Sequence, residues 1–411
     1  MRRVLGVLAL LLLVMLPAGC YDYSEPDEKA WVMAMGLDRG RQNVLTVTAV
    51  IAVPKNIAGS GGGQPAAGGG GKNFFTVSLE APTLLSSLEL LNAVVDRRAD
   101  LSHIKWFVFS RELAEQGIGE YLAPISRFYQ FRRTSLMLVC QGRAEDFLAR
   151  GLPVLEDNAG KYYELMHRGW RYTEFIPFDT FHQFYYKSSA PGVVPVAMLA
   201  SLERKEPVYP DNAPKPKGKY EAGRIPRQGG SSIEVMGAAV FRQERMVGTL
   251  NADETGLVKL INGTLRRTLL DVRDPKHPDK FVIMEVKPRQ RPSVKVQIAG
   301  GHPSIEVDIK MEGGIISIQS GEEYEKPGNI PFLEDAVEKE LLEDFHAAVA
   351  KSQELGADFF GFGLYAKKLF RTWPEWEAYN WDEKYPMASV TLHVDFKVRR
   401  IGLIHETLPQ K

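Results

Sequence analysis

The chain has 411 residues, and the reactive side chains in it are few: 2 cysteines and 8 histidines. Cys20 closes the opening segment MRRVLGVLALLLLVMLPAGC. Arg2 and Arg3 supply positive charge, Val4 to Leu16 form an apolar run, and the small residues Ala18 and Gly19 precede the thiol. A thiol behind an export-signal pattern is a candidate for acylation rather than catalysis. Cys140 sits in the apolar run SLMLVC. It has no base or cation beside it in sequence, so it reads as a small buried hydrophobe in a strand.

The run from Val4 to Leu16 is too short to cross a bilayer as a helix, which needs ~20 residues. It fits the h-region of an export signal. The small-small-Cys ending resembles a bacterial lipobox, whose cysteine receives a diacylglyceryl group and becomes the new N-terminus after cleavage. Pro17 stands three places before the cysteine, where that pattern usually has Leu, and Leu16 stands one place earlier. An ordinary secretory signal cut nearby is the alternative, and it leaves Cys20 as a free thiol. Each acyl CH₂ is worth ~0.8 kcal/mol on burial, and two chains anchor stably where one does not. Residues 1–19 are therefore expected to be a signal peptide and Cys20 the lipid-attachment site. All 51 acidic residues follow Cys20, so losing Arg2 and Arg3 leaves the mature chain slightly acidic. No later stretch is apolar enough to span a membrane.

The rest of the chain offers little chemistry. No histidine pair has a recognised metal spacing, there is no HExxH, and Ser231 and Ser232 lack a nucleophile elbow. The acidic stretch GEEYEKPGN lacks the alternating oxygen ligands of a calcium loop. GGGGKN superficially resembles a phosphate loop, yet Ala66 holds the leading glycine position and Asn73 the Ser/Thr position. No catalytic, metal or cofactor-binding residue is expected. Lys+Arg and Asp+Glu are both 51, so there is no charge footprint for nucleic acid. Two cysteines exclude a disulfide scaffold and a four-cysteine zinc site.

Hydrophobic patterning predicts the elements. Trp31 to Leu37 and Val44 to Val53 read as a β-hairpin, and Ala58 to Gly71 as a glycine-rich loop. Strands are expected at Phe74 to Leu79, His103 to Phe109, Thr134 to Cys140 and Val193 to Leu202. Helices are expected at Thr83 to Arg97, at Glu112 to Phe128 with a break near Gly117, and at Ala144 to Ala149. Residues 160–188 read as helical and unusually aromatic, with core packing the favoured use of the rings. Residues 206–232, rich in Pro and Lys, read as a solvated linker.

Beyond it, strands are expected at Ile233 to Phe241, Arg245 to Leu250, Lys280 to Lys287, Ser293 to Ile298, Ser304 to Met311 and Ile315 to Gln319. Gly300-Gly301 and Gly313-Gly314 mark turns. Helices are expected at Ala252 to Asn262, Leu333 to Leu355 and Leu364 to Arg371. The strand Val390 to Val398 ends the pattern on a mostly antiparallel sheet, and Trp373, Trp376 and Trp381 are expected to pack against it. Strands and helices so ordered predict an α+β, multidomain chain of about three domains, with mixed and antiparallel sheets flanked by helices. The expected divisions are a domain at 20–205, the linker at 206–232, and a C-terminal region at 233–405, split near 290.

Cys20, Tyr21, Asp22, Glu25, Ala30, Gly36 and Asp38, the segments HIKWFVFSRELAEQGIGEYL and GAAVFRQERMVGTLNADET, and the tail ADFFGFG, WPEWEAYNW and VRRIG occur in that order. Together they resemble the C-subunit lipoproteins of bacterial spore germinant receptors, the Ger(x)C family. The resemblance runs from Cys20 to about Gly402. Tyr21 replaces the family's Trp, Pro17 departs from its signal pattern, and the loop 58–71 looks like an insertion. The resemblance implies a non-enzymatic lipoprotein, anchored through Cys20 on the outer face of the spore inner membrane. It implies an α+β fold of three domains and two integral-membrane partners, the A and B subunits, in a complex that responds to small nutrients. A free-standing envelope lipoprotein that binds a solute or hydrolyses a cell-wall component is the alternative.

Overall fold

The computed structural model describes residues 25–53, 73–151, 155–156, 158–202 and 215–402, with Arg2 and Gly6 as isolated positions. Cys20, the rest of residues 1–19, the loop 58–71 and residues 206–214 lie outside them. Among the described residues, no helix is long and apolar enough to cross a membrane.

The first sheet has nine strands in the order β3-β2-β1-β5-β6-β7-β8-β9, with the short β4 on β1. The ranges are β1 Lys29–Arg39, β2 Leu45–Ala52, β3 Phe74–Ala81, β4 Arg98–Asp100, β5 Trp106–Ser110, β6 Leu136–Gln141, β7 Val196–Ser201, β8 Glu234–Arg242 and β9 Arg245–Leu250. β1, β5, β6 and β7 run parallel in one register row, Ala34–Trp106–Leu136, with Leu138 beside Met198. β2, β3, β8 and β9 add antiparallel hairpins at the two ends. The parallel strands are buried on both faces. Phe107 and Phe109 enter one core and Trp106 and Val108 the other, as the period of two requires.

Helices α1 Leu84–Val94, α2 Arg111–Gln116, α3 Gly119–Arg127, α4 Ala144–Arg150, α5 Ala159–Arg168 and α6 Phe181–Ser189 connect these strands. α1 begins where Thr83 and Ser86 cap each other, and α2 ends at Gly117, whose φ of 124° no L-residue adopts easily. The aromatic stretch expected as one helix is two. α5 ends in a 3-10 turn at Gly169–Arg171, and Thr180 with Gln183 forms a new capping box that starts α6. Its rings do pack: Trp170 lies 4.4 Å from Phe178, and Phe184 meets Phe241 edge-on at 4.9 Å.

The second sheet has five strands: β10 Thr268–Arg273, β11 Phe281–Pro288, β12 Ser293–Ala299, β13 His302–Ile318 and β14 Ser389–Arg400. β11 and β12 lie end to end along one edge of β13, turning at Gly300 and Gly301, while β14 takes the other edge. β14 joins β13 in parallel while the other pairs run antiparallel, so the sheet is mixed and mostly antiparallel, as expected. One expectation fails here: the Gly313-Gly314 pair is no turn but lies inside the 17-residue β13. A Cβ on Gly313 would sit 2.6 Å from Phe396 Cζ, so the small residue admits the ring of the neighbouring strand. β10 and β4 had no counterpart in the sequence reading.

Helices α7 Ala252–Ile261 and α8 Ile330–Glu354 cover this region. Of the face Leu333, Val337, Leu341, Phe345 and Val349 that the spacing predicts for α8, all are buried but Leu341, which is partly buried against the same core. After α8 come α9 Gly363–Ala366, α10 Trp373–Tyr379 and α11 Trp381–Lys384.

Residues 215–232 are no free spacer. The 3-10 turn Lys217–Lys219 carries buried Gly218, and Ala222 is buried against the first sheet. β8 and β9, beyond this stretch, complete that same sheet through β7. The core around the second sheet also includes Val194, Val196, Ala238 and Val240 of the first.

Candidate functional site

Cys20, the expected acylation site, is outside the described residues. Cys140 is 1% exposed in β6, and burial pushes its thiol well up, which removes the thiolate a nucleophile needs. The polar groups with most capacity for chemistry form two clusters where the sheets meet.

The first cluster grows from ADFFGFG. α8 stops at Gly356, whose φ of 58° reverses the chain and drops Asp358 into the core. Asp358 Oδ1 accepts the backbone N–H groups of Gly361 at 2.8 Å and Phe362 at 3.1 Å. Its Oδ2 accepts the N–H of Gly363 at 2.8 Å and the indole N–H of Trp381 at 3.0 Å. Burial pushes the carboxyl up to about 6, against the pull of these four donors, so it is ionised at neutral pH.

The loop before β7 docks on this turn. The Val194 N–H donates to the Asp358 carbonyl at 3.3 Å. Gly192 has φ of 92°, and a Cβ there would lie 2.7 Å from Trp376 Cζ2. Trp376 and Trp381 are each 1% exposed, as expected for core packing, whereas Trp373 is 46% exposed. Lys367 Nζ lies 4.4 Å from the centroid of the Trp373 ring.

The second cluster is built by the turn at Lys217–Lys219. Lys219 Nζ lies between Asp344 at 2.7 Å and Asp253 at 3.0 Å. Lys217 Nζ lies 3.5 Å from Asp271 and 3.7 Å from the buried Glu174, and its backbone N–H donates to Asp271 at 3.0 Å. A Cβ on Gly218 would sit 1.4 Å from Asp253 Oδ1. Nearby, the buried Lys259 ammonium donates to the carbonyls of Thr173 at 2.6 Å and Trp170 at 2.9 Å. Burial pushes Glu174 up to about 7 and Lys259 down to about 8. A cleft of about 30 Å³ remains between this turn and α8, room for no more than a water. The lysines, expected to be solvated, instead hold α7, α8 and β10 together.

Other motif residues serve packing. Gly36 lets α4 approach, since a Cβ there would sit 2.8 Å from Leu148 Cδ1. Asp38 is buried and accepts the N–H groups of Ala144 and Glu145, both at 2.8 Å, so it caps α4. Glu306, Asp308 and His393 come together on the second sheet, but Lys295 Nζ lies 3.8 and 3.6 Å from the two carboxylates and offsets part of their charge.

Residues 22–202 match the family described as "Spore germination protein N-terminal domain", and residues 236–402 match "Spore germination B3/ GerAC like, C-terminal". The gap between these matches overlaps the Pro/Lys-rich stretch, although the first sheet runs across it. Spore germination protein KC of Bacillus subtilis (strain 168) is 26% identical over 98% of this chain and 96% of its own length. Spore germination protein B3 of the same strain is 20% identical over 94% of this chain and 95% of its own. A solved structure, described as the crystal structure of the GerBC protein, covers 89% of this chain and 96% of its own with a TM-score of 0.50 at 16% identity, which shows a shared fold. Two family matches that together cover most of the chain, with a relative aligned over nearly its whole length, have one reading: the chain belongs to the spore germination B3/GerAC-like family, the Ger(x)C proteins, and its role is in spore germination.

Proposed function

We propose that this chain is a non-enzymatic lipoprotein subunit of a spore nutrient-germinant receptor. A diacylglyceryl group on Cys20 holds it on the outer face of the spore inner membrane. There it stands beside two integral-membrane subunits of the A and B type. The observation that carries the reading is the export-signal pattern ending in Ala18-Gly19-Cys20 ahead of a family-matched body. Tethering confines that body near the bilayer and raises its effective concentration for integral partners. The non-catalytic part rests on how the capable groups are used: Asp38 caps a helix, Asp358 gathers four donors, and Lys259 and Cys140 are closed into the core.

The test is a pull-down from solubilised spore membranes, with mass spectrometry of the mature N-terminus. Two polytopic proteins should accompany the chain, and Cys20 should carry acyl groups. Cys20→Ala should leave an unprocessed or released chain and a weaker germination response. An unacylated mature terminus, or purification with no polytopic partner, defeats the proposal.

A further inference from the structure

The parallel strands β1, β5 and β6 share a register row at Ala34, Trp106 and Leu136; β5 and β6 begin at that row, and β1 runs on past it to Lys29. The N-terminal segment leaves the body at that end, through Lys29. The stretch from Cys20 to Glu25 can span at most ~18 Å. The loop between α3 and β6, RFYQFRRT at 127–134, closes the same end. It faces β1 across His103: Lys29 lies over Trp31 at 5.2 Å, Trp31 meets His103 edge-on at 4.5 Å, and burial, with the positive charge of Arg132 adding to it, lowers the His103 pKa. The Leu101 N–H, just after β4, donates to Gln130 Oε1 at 3.2 Å.

In this loop Arg127, Arg132 and Arg133 are all exposed, and none is in an ion pair among the described residues. Tyr129 at its tip is 80% exposed. Beside it a cavity of about 130 Å³ is lined by Lys105, Arg132, Thr134, Tyr163 and His167. One acidic group, Glu164, also lines it and lies 3.6 Å from Lys105. On the β4 side of this end the acids Asp27, Glu28 and Asp96 lie beside Arg97 and Arg98. The chain after Cys20 as a whole is slightly acidic, whereas the loop 127–134 carries three arginines and no acidic residue.

We infer that the 127–134 loop, with Lys105, is a docking surface for anionic phospholipid headgroups, which sets the orientation of the body on the bilayer. Arginine forks suit phosphate oxygens, and an exposed tyrosine suits the boundary between headgroup and acyl chain. Each basic residue near an anionic bilayer is worth ~1 kcal/mol and is screened by salt. A phosphate of one headgroup fits the cavity between Lys105 and Arg132. The inference rests on the lipid-anchor reading only for what brings this end to the membrane.

The test uses the mature chain from Cys20 to Lys411 made without acyl groups, so that it does not depend on the anchor. It is sedimented with vesicles of phosphatidylcholine alone or of an equal mixture with phosphatidylglycerol. Binding should be confined to the anionic vesicles and should be lost in high salt. The triple variant R127Q/R132Q/R133Q should bind them about 100-fold more weakly, with unchanged circular dichroism and melting temperature. Equal binding to both vesicle types, or a triple variant that binds as the parent does, overturns the inference and leaves an acidic protein face as the occupant. An unacylated Cys20 in native protein, with anionic-vesicle binding intact, would sink the anchor reading and spare this one.

Discussion

The carboxylate of Asp358 accepts the indole N–H of Trp381 at 3.0 Å across 23 residues of chain, in a core closed to water. With three backbone donors on the same carboxylate, this bond holds the end of α8, the Trp segment and the loop before β7 as one unit. The two family-matched halves meet there, so the junction is a joint of the fold rather than a flexible hinge.

Asp358→Asn keeps the shape and puts an amide N–H against groups that are themselves donors. A loss of about 3 kcal/mol or more is expected in urea denaturation. Gly192→Ala should be at least as severe, because it adds both strain at positive φ and a 2.7 Å approach to Trp376. Trp373→Ala, at an exposed ring, should cost under about 1 kcal/mol. Equal losses for Trp373→Ala and Asp358→Asn would refute the lock.

Glu174 gives the chain a pH dependence of definite sign. Its ordinary pKa of 4.5 is raised to about 7 by burial, with Lys217 and Lys259 opposing the shift and Asp253 adding to it. Between those values the folded chain holds a proton that the unfolded chain has released. Stability from this group is therefore greatest at the acid end and falls as pH rises toward 7, by roughly 2–3 kcal/mol. Glu174→Gln should flatten that slope. Denaturation curves of both proteins at about pH 5 and about pH 7.5 check it, and an unchanged slope in the variant would refute the assignment.

The Lys217–Lys219 turn is expected to be structural. Gly218→Ala must push Asp253 aside, since no Cβ fits 1.4 Å from an oxygen, and should lower stability by about 2 kcal/mol. Lys219→Met leaves Asp253 and Asp344 facing each other without their cation. It should cost about 1–2 kcal/mol after allowing for partial exposure. Limited proteolysis should then cut within 215–232, which the parent resists. Parent-like stability in both variants would return this segment to the status of a linker.

The segment between β2 and β3 should be dispensable to folding. Its flanks are already joined, for the Val53 N–H donates to the Asn73 carbonyl at 2.8 Å. Deleting residues 59–70 shortens the loop between two paired strands, and loop-closure entropy changes by only about 1 kcal/mol. The melting temperature should stay level or rise slightly, and a fall of several degrees would show that the segment contributes to the fold.

Much of the fold was legible in the chain because it depends on local periodicity. The α8 stripe Leu333, Val337, Phe345 and Val349, the break at Gly117 and the opening hairpin follow from spacing and turn chemistry alone. The Gly313-Gly314 pair misled, because two glycines read the same whether they turn a chain or admit Phe396 from a neighbouring strand. Lys217 and Lys219 misled likewise: in a proline-rich stretch they look solvated, and their acidic partners are 34 to 125 residues away.

The sequence by itself determined that Cys20 stands behind an export-signal pattern, that no later segment is apolar enough to span, and that an ordered set of family motifs runs to about Gly402. These are one-dimensional properties, set by composition and spacing. Only the tertiary structure decided what the motif residues do. It brings Asp358 to Trp381 and Lys219 to Asp344, and it leaves Arg127, Arg132 and Arg133 exposed and out of ion pairs among the described residues. Burial and charge pairing depend on distance in space, and the strand order β1-β5-β6-β7 sets those distances.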